Sequence, residues 1–126
     1  MYNWFAVNDP RGLAPVGYHI PSESEWTELT DYLGGENNAG LKMKSTTGWK
    51  DGGNGDNSSG FNGLPGGDRN FGGIFGFIGV WGSWWSSMES DMSDAFIRQL
   101  TKDAFGVIRS DSYGKDFGFS VRCIKD

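Results

Sequence analysis

Hydrophobic residues recur with the period of an α-helix in one stretch of the chain. The apolar face of that stretch is formed by Trp26, Leu29, Tyr32 and Leu33. Ser22 precedes it and Glu25 follows three residues later, which is the pattern of a capping box. Two glycines at 34–35 end the pattern. The sequence therefore predicts one main helix at about 22–33 and a short second helix near 36–41.

The other hydrophobic positions indicate β-strands joined by glycine-rich turns. Aromatic and β-branched residues predict a first strand at 2–7, and residues 48–60 form a polar glycine-rich loop. Three strand-like runs close the chain, at 94–101, 105–111 and 118–124. Their short connections favour antiparallel pairing. The predicted fold class is α+β, with an antiparallel sheet and long glycine-rich loops.

Side chains alternate between the two faces of the strands at 94–101 and 105–111. One face carries Phe96, Arg98, Leu100, Phe105, Val107 and Arg109. Because it mixes large apolar groups with arginines, we expect it to pack inward with the arginine heads at its edge. The other face carries Ile97, Gln99, Thr101, Gly106, Ile108 and Ser110. That face makes a poor core and fits a surface of variable chemistry, although an ordinary solvated face would show the same pattern.

Composition narrows the possible classes of function. The 126 residues fit a single domain, 1–126, in which 21 glycines disfavour an all-helical fold. The net charge is −5 and lysines and arginines do not cluster, so no nucleic acid partner is expected. No apolar run suits a membrane helix, and we expect no direct membrane insertion. No signal peptide precedes residues 2–7, which predicts a piece of a longer protein or release without such a signal.

Residues that could carry catalysis stand alone in this sequence. His19 is the only histidine, which excludes a multi-histidine zinc site and favours a structural role before Pro21. Ser86 and Ser87 lack the Gly-x-Ser-x-Gly pattern of a nucleophile elbow. The single cysteine, Cys123, is interpreted as a buried apolar side chain. The sequence therefore predicts a protein that is not an enzyme.

Oxygen donors that could bind a metal occur in the loop at 51–57. Asp51, Asn54 and Asp56 could hold calcium, but their spacing misses the EF-hand pattern and the final glutamate is lacking. The segment 66–68 lacks the lysine and the following helix of a phosphate loop. We therefore predict no metal and no cofactor.

Four segments of the chain resemble one known family. They are 2–35 (beginning YNWFAVNDPRG), 61–69 (FNGLPGGDR), 84–87 (WWSS) and 118–126 (GFSVRCIKD). In this order they resemble the Fibrobacter succinogenes major paralogous domain over nearly the whole chain. The resemblance implies a C-type-lectin-like fold of the formylglycine-generating-enzyme branch, with a twisted antiparallel sheet. It also implies surface proteins of Bacteroidetes, often lipoproteins.

Two activities of related proteins do not carry over, because this sequence lacks the residues that they need. The enzyme branch needs a pair of active-site cysteines, whereas this chain has only Cys123. Calcium-dependent sugar binding in C-type lectins uses a Glu-Pro-Asn or Gln-Pro-Asp motif, and neither motif occurs here. Neither activity is therefore expected.

The C-terminal third also resembles the variable proteins of diversity-generating retroelements, some of which use this domain. Such proteins alternate a fixed framework with positions that are randomised at the adenines of asparagine codons. The matching framework is Ala95, Arg98, Leu100, Val107, Arg109, Lys115 and 118–123. The resemblance implies a variable region at 94–117 with these ligand-binding residues: Asp94, Ile97, Thr101, Asp103, Ala104, Gly106, Ile108, Ser110, Asp111, Ser112, Tyr113, Asp116 and Phe117.

The residue types in this set agree with that origin. Randomising the adenines of an asparagine codon can produce all thirteen, whereas it cannot produce Lys, Glu, Gln, Met or Trp. Gln99 and Lys102 lie among the candidates and need another origin. Four members also lie on the chemically mixed strand face, namely Ile97, Thr101, Ile108 and Ser110.

We therefore expect a non-enzymatic binding domain whose C-terminal strands and turns display a diversified surface. The scaffold would be the main helix with Trp4, Trp26, Trp49, Trp84 and Trp85. The partner would be a protein or a glycan on a cell surface, and the location extracellular, on a bacterial cell or a phage particle. Related variable proteins are often trimers, which makes a homotrimer one expected assembly. The alternative is a fixed structural or adhesion module of a Bacteroidetes surface lipoprotein, with binding elsewhere.

Overall fold

Ten short elements follow one another along the computed structural model, which describes residues 1–126. The helices are α1 (Trp4–Val7), α2 (Glu23–Tyr32) and α3 (Glu36–Met43). The strands are β1 (Tyr18–His19), β2 (Asp68–Arg69), β3 (Phe75–Gly76), β4 (Trp81–Glu89), β5 (Asp94–Thr101), β6 (Ile108–Gly114) and β7 (Ile124–Lys125). The predicted α+β class is confirmed. None of the helices has the length and apolar character needed to cross a membrane.

The main helix, α2, begins as the sequence predicts. The Ser22 hydroxyl accepts a hydrogen bond from the Glu25 backbone N–H (3.3 Å), and the Glu25 carboxylate accepts one from the Ser22 N–H (2.8 Å). These two bonds satisfy donors that the first turn of a helix leaves free. Trp26 and Leu33 are buried, whereas Tyr32 lies in solvent, so the buried stripe is narrower than the sequence predicts. The short second helix is also confirmed, as α3.

Residues 4–7 form a helical turn, and the predicted strand at 2–7 is wrong there. The Asn3 side chain caps the turn by accepting a hydrogen bond from the Ala6 N–H (3.0 Å). The turn buries both Trp4 and Val7, while Tyr2 alone forms a β-bridge, to Phe119. The cap and the burial of two side chains on one side outweigh the β-propensity of the aromatic residues.

A three-stranded antiparallel sheet in the order β4–β5–β6 runs through the molecule. The bounds of β5 agree with the predicted run at 94–101, and this strand lies between the other two. The predicted strand at 118–124 is reduced to isolated bridges at 118–120 and the short β7, which pairs with β1. β2 and β3 form a separate two-stranded hairpin.

The strand β6 begins three residues later than predicted. The backbone groups of Phe105 and Val107 form hydrogen bonds with α3 instead of with β5. The Leu41 N–H donates to the Phe105 carbonyl (3.1 Å), and the Val107 N–H donates to the Glu36 carbonyl (2.7 Å). These long-range bonds satisfy the backbone of 105–107, so this segment does not extend the strand.

Two hydrophobic clusters cover opposite faces of the sheet. One contains residues of α2 and α3 and consists of Trp26, Leu33, Ala39, Met43, Trp49, Trp84, Leu100 and Val107. The other contains residues of α1 and consists of Trp4, Val7, Ile20, Trp85, Ala95, Ile97 and Phe119. The five tryptophans predicted to form the scaffold are all buried in these clusters, which confirms that prediction. The sheet is therefore covered on both sides at β4 and β5.

Candidate binding surface

The strand β6 lies at the edge of the sheet, and most of its side chains reach solvent. Its backbone pairs on one side only, with β5. Exposed side chains along the strand are Ile108, Arg109, Asp111 and Ser112. An edge strand of this kind presents both side chains and unpaired backbone groups to a partner.

Twelve of the thirteen candidate ligand-binding residues are exposed or partly buried. The exposed ones are Asp103, Ala104, Ile108, Asp111, Ser112 and Asp116. The partly buried ones are Asp94, Thr101, Gly106, Ser110, Tyr113 and Phe117. Five of the six framework residues between them are buried, namely Ala95, Arg98, Leu100, Val107 and Lys115, and so are 118–119, which follow them. Candidate and framework positions of the C-terminal third thus differ in their access to solvent.

Ile97 is the exception, and its predicted place on an exposed face is wrong. Its side chain is fully buried in the cluster that contains Trp85 and Phe119. It pairs with Trp85 on β4 and with Ser110 on β6, so it occupies the middle strand. Gln99, on the same face of β5, is also buried and donates a hydrogen bond to the Ser83 hydroxyl (3.0 Å). The chemically mixed face of β5 is therefore core.

Gly106 is the second correction, because position 106 has no room for a variable side chain. A Cβ atom there would lie 2.9 Å from the backbone oxygen of Glu36 on α3. The approach is mutual, since a Cβ atom on Gly40 would lie 2.3 Å from the Gly106 carbonyl oxygen. The close packing of these two backbones requires glycine at both positions.

The remaining candidates line the length of β6 in two groups joined by the strand. At one end, Asp94 pairs with Gly114, next to Asp116 and Phe117. At the other end, Thr101, Asp103 and Ala104 belong to the end of β5 and the turn that follows it. Ile108, Ser110, Asp111 and Ser112 connect the two groups along the edge. We call the surface formed by all the candidates except Ile97 and Gly106 the β6 surface.

Two aromatic residues attach the β6 surface to the core. The Tyr113 ring meets the Phe117 and Phe119 rings edge to face, with centroids 5.7 Å and 5.2 Å apart. Phe119 is fully buried, while Tyr113 and Phe117 are only partly so. Edge-to-face pairs stabilise such contacts beyond the area they bury. Tyr113 and Phe117 therefore combine a packing role with an accessible edge.

A shallow cleft of about 290 Å³ lies at the Asp94 end of the β6 surface. Its lining includes Phe5, Ser93, Asp94, Lys115 and Asp116. The Lys115 ammonium donates hydrogen bonds to the Glu89 carboxylate (2.6 Å) and to two backbone carbonyls. The sequence pattern does not single out Phe5 or Ser93. Phe5 could have been found only by recognising the helical turn at 4–7, because that turn buries Trp4 and Val7 and leaves the Phe5 ring exposed.

Buried charges fix the framework on the α2 side of the sheet. The Arg98 guanidinium donates to both oxygens of Glu23 (2.8 and 3.0 Å), and the Arg109 Nε donates to one of them (2.7 Å). The expected position of the arginine heads at the edge is wrong for Arg98, which is fully buried, and right for Arg109, which is half exposed. Burying Arg98 requires the Glu23 carboxylate as its partner.

The family model for the Fibrobacter succinogenes major domain matches residues 1–125. The chain belongs to this family. The resemblance seen in the sequence is thereby confirmed across almost the whole chain. No curated protein and no solved structure matches the chain.

In this member of the Fibrobacter succinogenes major domain family, His19 bridges two carboxylates. Its Nδ1 lies 2.6 Å from Asp126 and its Nε2 lies 2.7 Å from Glu25. The hydrogen bond with Asp126, followed by that with Glu25, raises the pKa of the His19 imidazole above its ordinary value. The bridge joins Asp126, the residue after β7, to α2, which is a structural arrangement.

The interpretation of Cys123 as a buried side chain is wrong, because the thiol is exposed. It follows the partly buried Arg122 and precedes β7, beyond the cover of either hydrophobic cluster. Ser86 is buried, and its hydroxyl lies 3.4 Å from the Pro21 carbonyl, whereas Ser87 is exposed. No hydrogen bond joins these residues to a histidine.

The oxygen donors of the loop at 51–57 are used within the fold. Asp51 pairs with Lys102 (2.6 Å), and the Asn54 side chain accepts from the Trp49 N–H (3.0 Å). Asp56 accepts from the Ser58 N–H (2.9 Å). No group of three His, Cys, Asp or Glu side chains converges as metal ligands do.

Proposed function

We propose that this chain is a non-enzymatic ligand-binding domain that presents the β6 surface to a protein or a glycan on a cell surface. It would act outside the cell as a diversified variable protein, either as a phage receptor-binding protein or as a bacterial surface protein. The single observation that carries this proposal is the division of the C-terminal third. Twelve of the thirteen candidate positions reach solvent, whereas most framework residues between them are buried.

That division is what a diversified binding site requires. Substitutions at exposed positions change stability little, whereas substitutions in the core usually destabilise. A surface can therefore vary only where the fold does not depend on its side chains. Ile97 and Gly106 fall outside this rule and belong with the framework.

The chemistry of the β6 surface suits recognition of polar partners. Carboxylates at Asp103, Asp111 and Asp116 are exposed, and Ser112 adds a hydroxyl group. Ile108 supplies an exposed apolar contact in the middle of the strand. Short polar side chains around a few apolar anchors are typical of adaptable binding sites. The acidic groups favour a partner rich in hydroxyl groups or positive charge.

We also propose a C-type-lectin-like fold for the domain. The α+β architecture, the antiparallel sheet between two cores and the long loop at 48–60 support it.

The experiment replaces the β6 surface and leaves the framework intact. A variant with Ile108→Tyr, Ser110→Asn and Ser112→Tyr is compared with the parent for binding to a panel of intact bacterial cells and a glycan array. A control variant carries three changes at exposed positions elsewhere, Asp31→Asn, Asn37→Ser and Thr46→Ser. We expect the first variant to bind a different set of targets, with an unchanged circular dichroism spectrum. Identical binding by parent, variant and control would contradict the proposal.

The alternative, a fixed structural or adhesion module, is favoured by one observation. The hairpin of β2 and β3 and the segment after it expose Phe71, Ile74, Phe75, Phe77 and Ile78. Exposed apolar residues that lie together can mark an interaction site. If Phe71→Ser with Ile74→Ser abolishes binding to the cells and the β6 variant does not, the fixed module is the better description.

A further inference from the structure

A second cleft lies away from the β6 surface, between α2 and the segment leading into β7. Its volume is about 270 Å³. The walls are largely apolar and include Pro21, Trp26, Leu29, Phe61 and Ile124. A cleft of this size and lining fits the apolar part of a small organic molecule.

Arg122 supplies a positive charge at this cleft that no acidic side chain neutralises. Its Nη2 donates to the backbone carbonyls of Phe61 (2.8 Å) and Asn62 (3.2 Å), and its guanidinium lies over the Phe61 ring (4.6 Å). It forms no ion pair, whereas Arg11, Arg98 and Arg109 each pair with a carboxylate. Its other N–H groups make no hydrogen bond within the protein. Partial burial lowers the pKa of Arg122 below its ordinary value, but an arginine stays charged at neutral pH.

Glu25 is the other charged residue that lines the cleft, and its carboxylate is already engaged. One oxygen lies 2.7 Å from His19 Nε2, and the other accepts from the Ser22 N–H (2.8 Å). The backbone bond from Ser22, followed by the bond with His19, lowers the pKa of Glu25 below its ordinary value. Its carboxylate is therefore engaged on the side of α2 and forms no ion pair with Arg122, which is left without a counter-ion.

We propose that this cleft binds a small organic acid whose carboxylate pairs with Arg122 and whose apolar body packs against Trp26, Leu29 and Phe61. A guanidinium held by neutral carbonyls on one side offers its remaining donors in a fixed fork to a carboxylate. An apolar wall excludes water from this contact and strengthens it. The site is independent of the β6 surface, so its test does not depend on the proposed function.

Two groups at the cleft report its occupancy directly. The Trp26 indole N–H is buried without an acceptor, and its nuclear magnetic resonance signal responds to changes in the packing around it. Cys123 also lines the cleft, and as the only cysteine it can be alkylated selectively. A molecule that fills the cleft shields this thiol.

The experiment titrates the whole chain with benzoate and, separately, with benzamide, which has the same shape without the charge. We expect benzoate to shift the Trp26 indole signal saturably and to slow alkylation of Cys123 by iodoacetamide. Benzamide should bind about tenfold more weakly, which is the effect of one charge-assisted hydrogen bond. Equal effects of the two compounds, or no saturable shift at the cleft, would overturn the proposal.

Variants at Arg122 sharpen the same measurement. Arg122→Gln should abolish the preference for benzoate over benzamide, and Arg122→Lys should retain part of it because the charge remains. The control is Arg11→Gln, which removes an equal charge from an exposed site paired with Asp9. If Arg122→Gln fails to fold, Arg122→Lys and the two compounds on the parent chain still decide the question. A preference that survives in folded Arg122→Gln contradicts the assignment of Arg122.

Discussion

β5 and β6 are neighbouring strands of similar sequence character, yet their side chains have opposite environments. Both mix apolar, polar and charged residues. In β5, Ile97, Arg98, Gln99 and Leu100 are buried in succession, on both faces of the strand. In β6, Ile108, Arg109, Asp111 and Ser112 are exposed. The difference comes from position in the sheet, because β5 lies between two strands and two cores while β6 lies at the edge.

This difference shows that alternation alone does not identify a surface. Alternation assigns residues to two faces, but the elements packed on each face decide which one is buried. The mixed composition of one face of β5 suggests that this face is exposed. In the structure, the cluster around Trp85 and Phe119 covers it. The candidate binding residues are consequently confined to β6, the two ends of β5 and the flanking turns.

The largest expected effect comes from the buried charge of β5. Replacing Arg98 with methionine leaves the Glu23 carboxylate buried with only the half-exposed Arg109 as a partner. Loss of one partner from a buried ion pair should lower the free energy of unfolding by about 4 kcal/mol. Arg109→Met should lower it by less than about 1 kcal/mol, since that pair is partly solvated. Urea unfolding measures both, and equal losses would show that β5 and β6 do not differ in this way.

A smaller effect is expected for the isoleucines of the two strands. Ile97→Ala creates a cavity in the core beside Trp85 and should cost about 3 kcal/mol. Ile108→Ala on the edge strand should cost less than about 1 kcal/mol, because nearly half of that side chain is exposed. Urea midpoints of the two variants give the comparison. A large loss for Ile108→Ala would place β6 in the core and remove it as a variable surface.

Position 106 tests where the β6 surface ends. A methyl group on Gly106 has to displace the backbone of α3 at Glu36, so Gly106→Ala should cost about 2 kcal/mol. Its neighbour Ala104 is exposed, and Ala104→Ser should change stability by less than about 0.5 kcal/mol. Thermal unfolding of the two variants decides the point. If Gly106→Ala is as stable as the parent, position 106 rejoins the variable set.

The smallest effect is expected along the outer edge of β6. Ser110→Asn, Asp111→Asn and Ser112→Asn should each change the free energy of unfolding by less than about 0.5 kcal/mol. The serine hydroxyls contact mainly each other, at 3.3 Å, and Asp111 forms no ion pair. Thermal unfolding of the single and combined variants measures these effects. A combined loss of several kcal/mol would mean that this edge is structural.

Local signals in the sequence predict α2 well. The capping box of Ser22 and Glu25 and the glycines at 34–35 act within a few residues of the helix, so the pattern contains what determines its ends. The bounds of β5 are also correctly predicted, because apolar and polar residues mix there over a run that contains no glycine or proline. Trp4–Val7 misleads, since its aromatic residues suggest a strand while a single cap at Asn3 makes a helical turn.

Features that depend on contacts between residues far apart in the chain could not be predicted from the local sequence pattern. The start of β6 depends on bonds between 105–107 and α3, and no local signal records those bonds. The glycines and serines of β4 obscure a strand of nine residues that the sheet requires. Burial of Ile97 depends on Phe119, which lies 22 residues further along the chain. The thirteen candidate residues come from resemblance, and the structure separates Ile97 and Gly106 from the others.

The most direct test of the β6 surface is a display library built on the whole chain. Ile108, Ser110, Asp111 and Ser112 are encoded by asparagine codons with randomised adenines, and the library is sorted for protease resistance and for binding to a panel of bacterial cells. A matched library randomises four buried β5 positions, Ile97, Arg98, Gln99 and Leu100. We predict that most β6 members stay folded and differ in the cells they bind, while few β5 members fold. Equal loss of folding in both libraries, or one shared binding pattern among all folded β6 members, would contradict the proposed binding surface.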